Sequence, residues 1–398
     1  MNPNLSRPPR PTEPLVLIPH PRHYAWGGRG PASFLRRFLG RSQSAVPLAE
    51  AWFGAHPLGA SAVAGSRQTL YDVLRRRVPR TPAGQSPLSF MAKIIEVRRP
   101  LSLQVHPAAR RARRGFDREN RAGVSRDSAD RSYRDPNAKP EYLVALTAFE
   151  LFADWRPRAQ WRTDRFCRAV LAGGAVPSTA GIRALVRAVT GWGPEEVRRL
   201  GRRVFSSAAR SSAGRAGWLE RIWREHGETR GDPAALLVPF MGYHRLKPGD
   251  GFFVPPGVAH TYLAGAGLEV MRSSDNVLRL GLTDKARRPA EARSALSMGA
   301  RPRRVAAGAA PFSSNDFRVS TVAVAAAGRS HPLAWRGPAL LIPTVRPLTI
   351  EIDGSAYPLP LGRGLFLPAS GAGQWSAPGG RGWAGALVEG RFFVGQRI

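Results

Sequence analysis

Residues 246–262 read LKPGDGFFVPPGVAHTY. Pro248-Gly249-Asp250 is a turn sequence, because proline presets φ and glycine relaxes the backbone beside it. An apolar strand follows (GFFV), then a second turn at Pro255-Pro256-Gly257, then His260 beside Thr261 and Tyr262. A histidine delivered by a strand after a tight turn is either a buried structural residue or a metal ligand. Neutral imidazole is the commonest nitrogen ligand for zinc-like ions. Outward from this stretch, LLVPF before it and LEVM after it also have strand length and apolar character.

The same short, punctuated apolar runs fill residues 14–157: LVLIP, SAVAG, FMAKIIEV and YLVALTAFELF. Between 158 and 232 the periodicity changes. RPRAQWRTDRFCRAVLAG, TAGIRALVRAVTG and GPEEVRRLGRRVFSSAARSSAGRAGWLERIWREHG repeat apolar residues every three or four positions. That spacing predicts a helical insert with Thr179, Gly191 and Gly227 near helix boundaries. Strands resume over 233–300, and 301–398 reads as a second antiparallel β unit (RVSTVAVA, ALLIPTV, LTIEI, GLFLPAS, ALVEGRFFVG). The fold expected is mainly β with an α-helical insert between the two parts of its first β domain.

The chain of 398 residues is 43% hydrophobic, enough for more than one core. It contains no apolar run of about 18 residues and no apolar signal core, so neither a membrane partner nor export is expected. Its single cysteine, Cys167, excludes a disulfide framework and cysteine-rich zinc sites. Any metal must therefore be held by nitrogen and oxygen, and a reducing cytoplasm is the expected compartment. The formal charge of +32 invites a nucleic-acid reading, but the arginines are spread over most of the chain rather than concentrated. No specific nucleic-acid partner is expected. The charge fits a solvated, arginine-biased surface or long-range attraction of anions.

Only four lysines stand among 56 arginines: Lys93, Lys139, Lys247 and Lys285. An ammonium is a compact charge whose pKa moves with burial, which guanidinium does not replace. Three of the four lie in the richest clusters of reactive residues. In Gln104-Val105-His106 the two outer side chains share one face of a strand and can reach one metal. In Asp135-Pro136-Asn137-Ala138-Lys139-Pro140-Glu141 an ammonium and a carboxylate stand two residues apart on a backbone restricted by proline. Taken singly, each pattern is also compatible with an ordinary strand end or a solvated loop.

Together these segments resemble the type I mannose-6-phosphate isomerases, zinc enzymes of the cupin superfamily. The matching blocks occur in the family's order. They are Tyr24-Ala25-Trp26-Gly27-Gly28, AEAWFGAHPLGAS (49–61), AKIIEVRRPLSLQVHP (92–107), DPNAKPEYLVALTAFEL (135–151), GDGFFVPPGVAHTYL (249–263) and LEVMRSSDNVLRLGLTDK (268–285). The resemblance implies a cupin-type jelly-roll catalytic domain (14–157 and 233–300), a helical domain (158–232) and a C-terminal jelly roll (301–398). It implies that Gln104, His106, Glu141 and His260 bind one zinc per chain. It assigns Arg279, Glu269, Lys139 and Lys285 to catalysis, and Ser102, Lys93, Tyr262 and Trp26 to binding a phosphorylated hexose.

The implied reaction interconverts D-mannose 6-phosphate and D-fructose 6-phosphate through an enediol, in a cytoplasmic monomer. Glu269 or Lys139 would carry the proton, Arg279 would stabilise the enediolate, and Lys285 with Ser102 and Lys93 would attract phosphate. Four positions depart from the family pattern: Ala138 stands where histidine is usual, Arg272 for a small residue, Leu280 for glycine and Asp284 for proline. A cupin that binds a phosphosugar without catalysis or with altered specificity is the alternative these changes raise, and a basic nucleic-acid-binding protein, favoured by charge alone, is the remoter one.

Overall fold

The 13-residue strand His260–Arg272 belongs to two sheet layers at once. Its first part pairs with Leu103–Val105 and Phe149–Trp155. From Gly265 onward it pairs with Phe90–Val97 on one side and Glu141–Ala145 on the other. The change coincides with a register shift between Tyr262 and Ala264 and with a φ of +124° at Gly265. A Cβ at Gly265 would lie 2.6 Å from the Ala148 carbonyl oxygen, so backbone angle and space both demand glycine here.

The structure, a computed structural model, describes residues 10, 12–41, 45–79, 81, 85–173, 181–205, 214–324, 330–379 and 382–392. Every strand pair among them is antiparallel. Beyond Phe90–Val97 the first layer continues through Glu50–Phe53 to His20–Arg22. Beyond Glu141–Ala145 it continues through Gly251–Val254 to Arg303–Val305. The facing layer holds Leu278–Gly281, Leu103–Val105, Phe149–Trp155 and Met241–Leu246. Ile95, Val97, Leu143, Phe149, Leu151, Phe252 and Tyr262 fill the space between the layers. The first β unit is thus a jelly-roll sandwich, as expected.

The C-terminal strands form a four-stranded antiparallel sheet and, with Leu15–Ile18 and Ala62–Val63 from the N-terminal part, a seven-stranded one, packed around Leu341, Leu348, Ile350, Leu365 and Trp375. Sheet membership does not follow the linear boundaries expected from sequence. Leu15–Ile18, expected with the catalytic unit, pairs with Gly364–Leu367 of the C-terminal sheet. Arg303–Val305, expected with the C-terminal unit, pairs with Gly251–Val254 of the catalytic sheet. One apolar cluster joins both units, with Phe53, Phe90 and Ile94 packed together with Leu340, Phe366 and Val388.

The helical insert forms Arg158–Thr163, Arg165–Ala172, Ile182–Thr190, Pro194–Phe205 and Gly214–Ile222, continuing as a π-helical stretch over Trp223–Glu228. Thr179 lies outside the described residues, and Gly191 caps a helix as expected. Gly227, expected at a boundary, is inside the helix. It and Gly201 make room for the Trp223 ring, which a Cβ at either would approach within 2.1 Å and 1.9 Å. LLVPF, expected as a strand, instead forms 3-10 turns at Pro233–Leu236 and Val238–Phe240, where proline sits at each start and Pro239 offers no ladder donor. The helix Ala109–Arg121 has no apolar stripe to announce it. Polar ties hold it: the Glu119 carboxylate accepts from the main-chain N–H groups of Ser132 and Tyr133 and pairs with Arg131. Among the described residues no helix is long and apolar enough to cross a membrane.

Candidate metal and substrate site

His106, Glu141 and His260 are buried, and their ligand atoms all lie within 4.8 Å of one another. Each comes from a different strand or strand end. His260 is cross-strand partner to Gln104, and Gln104 is in turn partner to Arg279. Glu141 opens the strand next to the second half of His260–Arg272, opposite Met271. The site therefore closes where the two layers meet.

The histidine tautomers are set from behind. Nδ1 of His106 donates to the Asn276 carbonyl at 2.7 Å, and Nδ1 of His260 donates to the Val258 carbonyl at 3.1 Å. Both Nε2 atoms then carry lone pairs toward the centre. They face the Glu141 carboxylate at 3.1 Å (His106 to Oε1) and 3.3 Å (His260 to Oε2). Nε2 of His106 and Oε2 of Glu141 are buried without a hydrogen-bond partner. Burial lowers the His106 pKa to about 4, so this imidazole brings no proton of its own to satisfy the carboxylate. Acceptors converging on acceptors in a dry site call for a cation between them.

Gln104 supplies the fourth side chain, its amide 3.3 Å from Nε2 of His260 and within 3.2 Å of Ser102 Oγ. A half-turn of the amide offers its oxygen inward and its NH2 group to Ser102. Two imidazoles, a carboxylate and an amide oxygen suit a borderline divalent ion such as zinc.

Lys139 lies 2.8 Å from Glu141 Oε1. Burial pushes the Glu141 carboxyl up, but His106 and Lys139 outweigh it and hold it well below the usual range. With His106 neutral, the Lys139 ammonium is the charge that matters. Glu269, across the strand pair from Lys93, is buried and lies 3.8 Å from its ammonium. Burial, reinforced by Glu141, raises the Glu269 pKa to about 7. Burial disfavours the Lys93 charge, but Glu50 and Glu269 overcome this and raise its pKa. The Tyr262 hydroxyl is buried without a hydrogen-bond partner, and burial raises its pKa well above the usual value. Arg279 and Lys285 make no ion pair with any described residue, and Lys285 sits 5.2 Å from the Tyr24 ring. Burial lowers the pKa of both, with Arg134 adding to the effect on Arg279 and Arg279 to that on Lys285. Trp26 stacks on Tyr24 at 5.6 Å and packs against the sandwich core.

Residues 15–158 match the family model described as phosphomannose isomerase type I, catalytic domain. Mannose-6-phosphate isomerase of Salmonella typhimurium is 33% identical over 286 residues, covering 68% of this chain and 71% of that protein. This chain belongs to the type I phosphomannose isomerase family. The mannose-6-phosphate isomerase of Escherichia coli K12 is 34% identical over 290 residues, with the same coverage, and the human one 29% over 302. The crystal structure of the apo Salmonella enzyme superposes with a TM-score of 0.79 at 25% identity, over 95% of this chain and 99% of that one. A crystal structure of the Salmonella enzyme with fructose 6-phosphate and zinc, 24% identical, shares the fold with a TM-score of 0.78, over 95% of this chain and 100% of that one.

Within this family frame, the departures fall in different places. Arg272 bonds to Asp316 (2.6 Å) and to the Asn137 side chain (2.9 Å), bracing the loop before Lys139. Leu280 is buried in the core shared with the helical insert, and Asp284 pairs with Arg230 at the surface. Ala138 presents only a methyl group, half-buried, beside Lys139. Several site residues had no individual sequence signal beyond lying in the family blocks. Glu50 accepts from the Trp52 indole at 2.6 Å and lies 3.8 Å from Lys93. His56 and Asp275 pair at 3.3 Å. Burial pushes Asp275 up, but the His56 hydrogen bond prevails and its pKa falls to about 2. Asn276 and Asp135 lock the segment behind His106.

Proposed function

We propose that the protein is a zinc-dependent aldose–ketose isomerase that interconverts D-mannose 6-phosphate and D-fructose 6-phosphate. The observation that carries this is the pairing of two unlike features in one site. Three buried ligand groups converge with Gln104 beside them, and His106 Nε2 and Glu141 Oε2 find no hydrogen-bond partner, next to cations that make no ion pair among the described residues and a buried carboxyl of raised pKa. Gln104, His106, Glu141 and His260 would hold the ion. Bound zinc would supply Lewis-acid charge against the sugar oxygens.

The remaining work falls to side chains. Glu269, with a pKa of about 7, suits a group that takes the C2 proton of the open-chain aldose and returns it to C1. Lys139 is less suited to that task, because it is committed to Glu141 at 2.8 Å. Its role is to hold that carboxylate and the sugar oxygens. Arg279 stabilises the negative oxygens of the enediolate with paired N–H donors. As the hydroxyl proton passes from O2 to O1, the aldehyde becomes the ketone and no atom is gained or lost. Ser102 orients Gln104, Tyr262 lines the floor, and Trp26 supports the wall through Tyr24. Lys285 meets the phosphate as a point charge.

A non-catalytic phosphosugar-binding cupin would need neither Glu269 nor Arg279, and both are in place. Buried Cys167 and the nitrogen–oxygen donor set agree with a reducing cytoplasm, where we place this enzyme as a monomer. A coupled isomerase assay on zinc-loaded and chelated protein tests the proposal. Conversion of mannose 6-phosphate that vanishes with chelator and returns with zinc is expected. No conversion by the zinc-loaded protein would overturn it.

A further inference from the structure

The cations of the site differ in what surrounds them. Lys93 stands 3.8 Å from each of two carboxylates, those of Glu50 and Glu269. Its charge is already answered, which leaves little attraction for a phosphate. Arg22 is the contrary case. Its guanidinium lies 4.7 Å from the Trp52 ring centroid, the same distance as the Lys93 ammonium, and 5.7 Å from that of Tyr24. Lys285 lies on the same Tyr24 ring. Nε of Arg22 donates to the Tyr24 hydroxyl and Nη1 to the Leu58 carbonyl, each at 3.2 Å. Nη2 has no hydrogen-bond partner, and Arg22 makes no ion pair, among the described residues.

Unpaired arginines are ordinary in a chain of charge +32, so absence of a partner alone decides nothing. Placement does. Arg22 and Lys285 lie over the same Tyr24 ring, 5.7 Å and 5.2 Å from its centroid, and Lys285 feels the positive charges of Arg279 and Arg22 set against the Glu50 carboxylate. Like charges held together on aromatic faces, beside a site for a sugar, form a seat for a dianion. The two bonds to Tyr24 and Leu58 fix the guanidinium plane and leave one edge to donate.

We propose that Arg22 binds the phosphate of the sugar phosphate, completing with Lys285 a dianion subsite on the Tyr24–Trp52 wall. This rests on the isomerase reading for the identity of the sugar but not for the binding of phosphate. Lys93 then serves the carboxylates Glu50 and Glu269 rather than the phosphate.

The test uses zinc-loaded, full-length protein and two variants, Arg22→Gln and Arg22→Lys. Calorimetry measures binding of inorganic phosphate, and the coupled assay measures kcat and KM for mannose 6-phosphate. In Arg22→Gln the phosphate Kd and the KM should both rise about tenfold, with kcat changed by less than about threefold. Arg22→Lys should recover part of both, because it keeps the charge and loses the fork. Unchanged phosphate affinity in Arg22→Gln, or no phosphate binding by the parent, would overturn the subsite and leave Arg22 as a clamp on Tyr24 and Leu58. Phosphate binding that falls in Arg22→Gln, in a parent that converts no mannose 6-phosphate, would uphold the subsite and sink the isomerase reading instead.

Discussion

His106 and Asn276 are joined through the main chain, with the imidazole Nδ1–H donating to the Asn276 carbonyl at 2.7 Å. The Asn276 side chain is fully buried and satisfied in turn. Nδ2 donates to the carbonyls of Asp135 (2.7 Å) and Asn137 (2.9 Å), and Oδ1 accepts from the Arg134 N–H at 2.8 Å. Asn276 therefore fixes the tautomer of His106 through its main-chain carbonyl, and the course of the loop that brings Lys139 and Glu141 through its side-chain amide.

Asn276→Ala should weaken zinc binding by about 10- to 100-fold, the range for outer partners of metal ligands. His260→Ala should lose zinc and activity altogether, since it removes one of the proposed ligands. Competition with a chromophoric chelator measures both. Zinc affinity equal to the parent in Asn276→Ala would show that the carbonyl holds its place without that side chain.

Arg279→Lys keeps the charge but loses the paired donors, so kcat should fall about 100-fold or more. Lys285→Arg keeps charge near the phosphate and should mainly raise KM. Steady-state kinetics separate the two. An Arg279→Lys variant as active as the parent would make Arg279 a structural residue.

Glu269 must be ionised to accept a proton, and its pKa of about 7 sets where that happens. In metal-free protein the raised pKa also affects stability. The folded state binds a proton that the unfolded state, with an ordinary carboxyl, releases near 4.3. Stability therefore falls as pH rises through the window from about 4.3 to 7. Glu269→Gln should abolish turnover, yet melt at a higher temperature than the metal-free parent at pH 8, with the advantage disappearing near pH 4. Melting curves at the two pH values check the sign. Zinc on Glu141 would offset the neighbouring negative charge, so the activity profile of the loaded enzyme should turn at lower pH.

The helical segment carries exposed arginines, among them Arg199, Arg202 and Arg224. Replacing these with glutamine should leave kcat at saturating substrate within about twofold. Charges beyond about 10 Å act by steering, which salt screens. A large fall in kcat with the melting temperature intact would give the insert a direct part in the site.

Local chemistry wrote much of this protein into its sequence. The turn–strand–turn–His260 stretch, the shared face of Gln104 and His106, the Lys139–Glu141 pair and the helical periodicity of 158–232 depend on neighbours a few residues apart. Their signals survive in one dimension. The proposed metal ligands were legible together as members of family blocks, and tertiary structure adds why they suit a cation: Nδ1 of His106 is spent on the distant Asn276 carbonyl and Nδ1 of His260 on the nearby Val258 carbonyl. Strand partners are set by long-range pairing, so the exchange of Leu15–Ile18 and Arg303–Val305 between sheets left no local mark. The helix Ala109–Arg121 also went unannounced, because buried polar ties to Glu119 hold it instead of an apolar stripe. Charge is the clearest division. Sequence counts Lys93, Lys285 and Arg22 alike as cations, whereas the fold pairs Lys93 with two carboxylates and gives Arg22 and Lys285 no ion pair among the described residues. Electrostatic function depends on distance and desolvation, and only the folded chain supplies either.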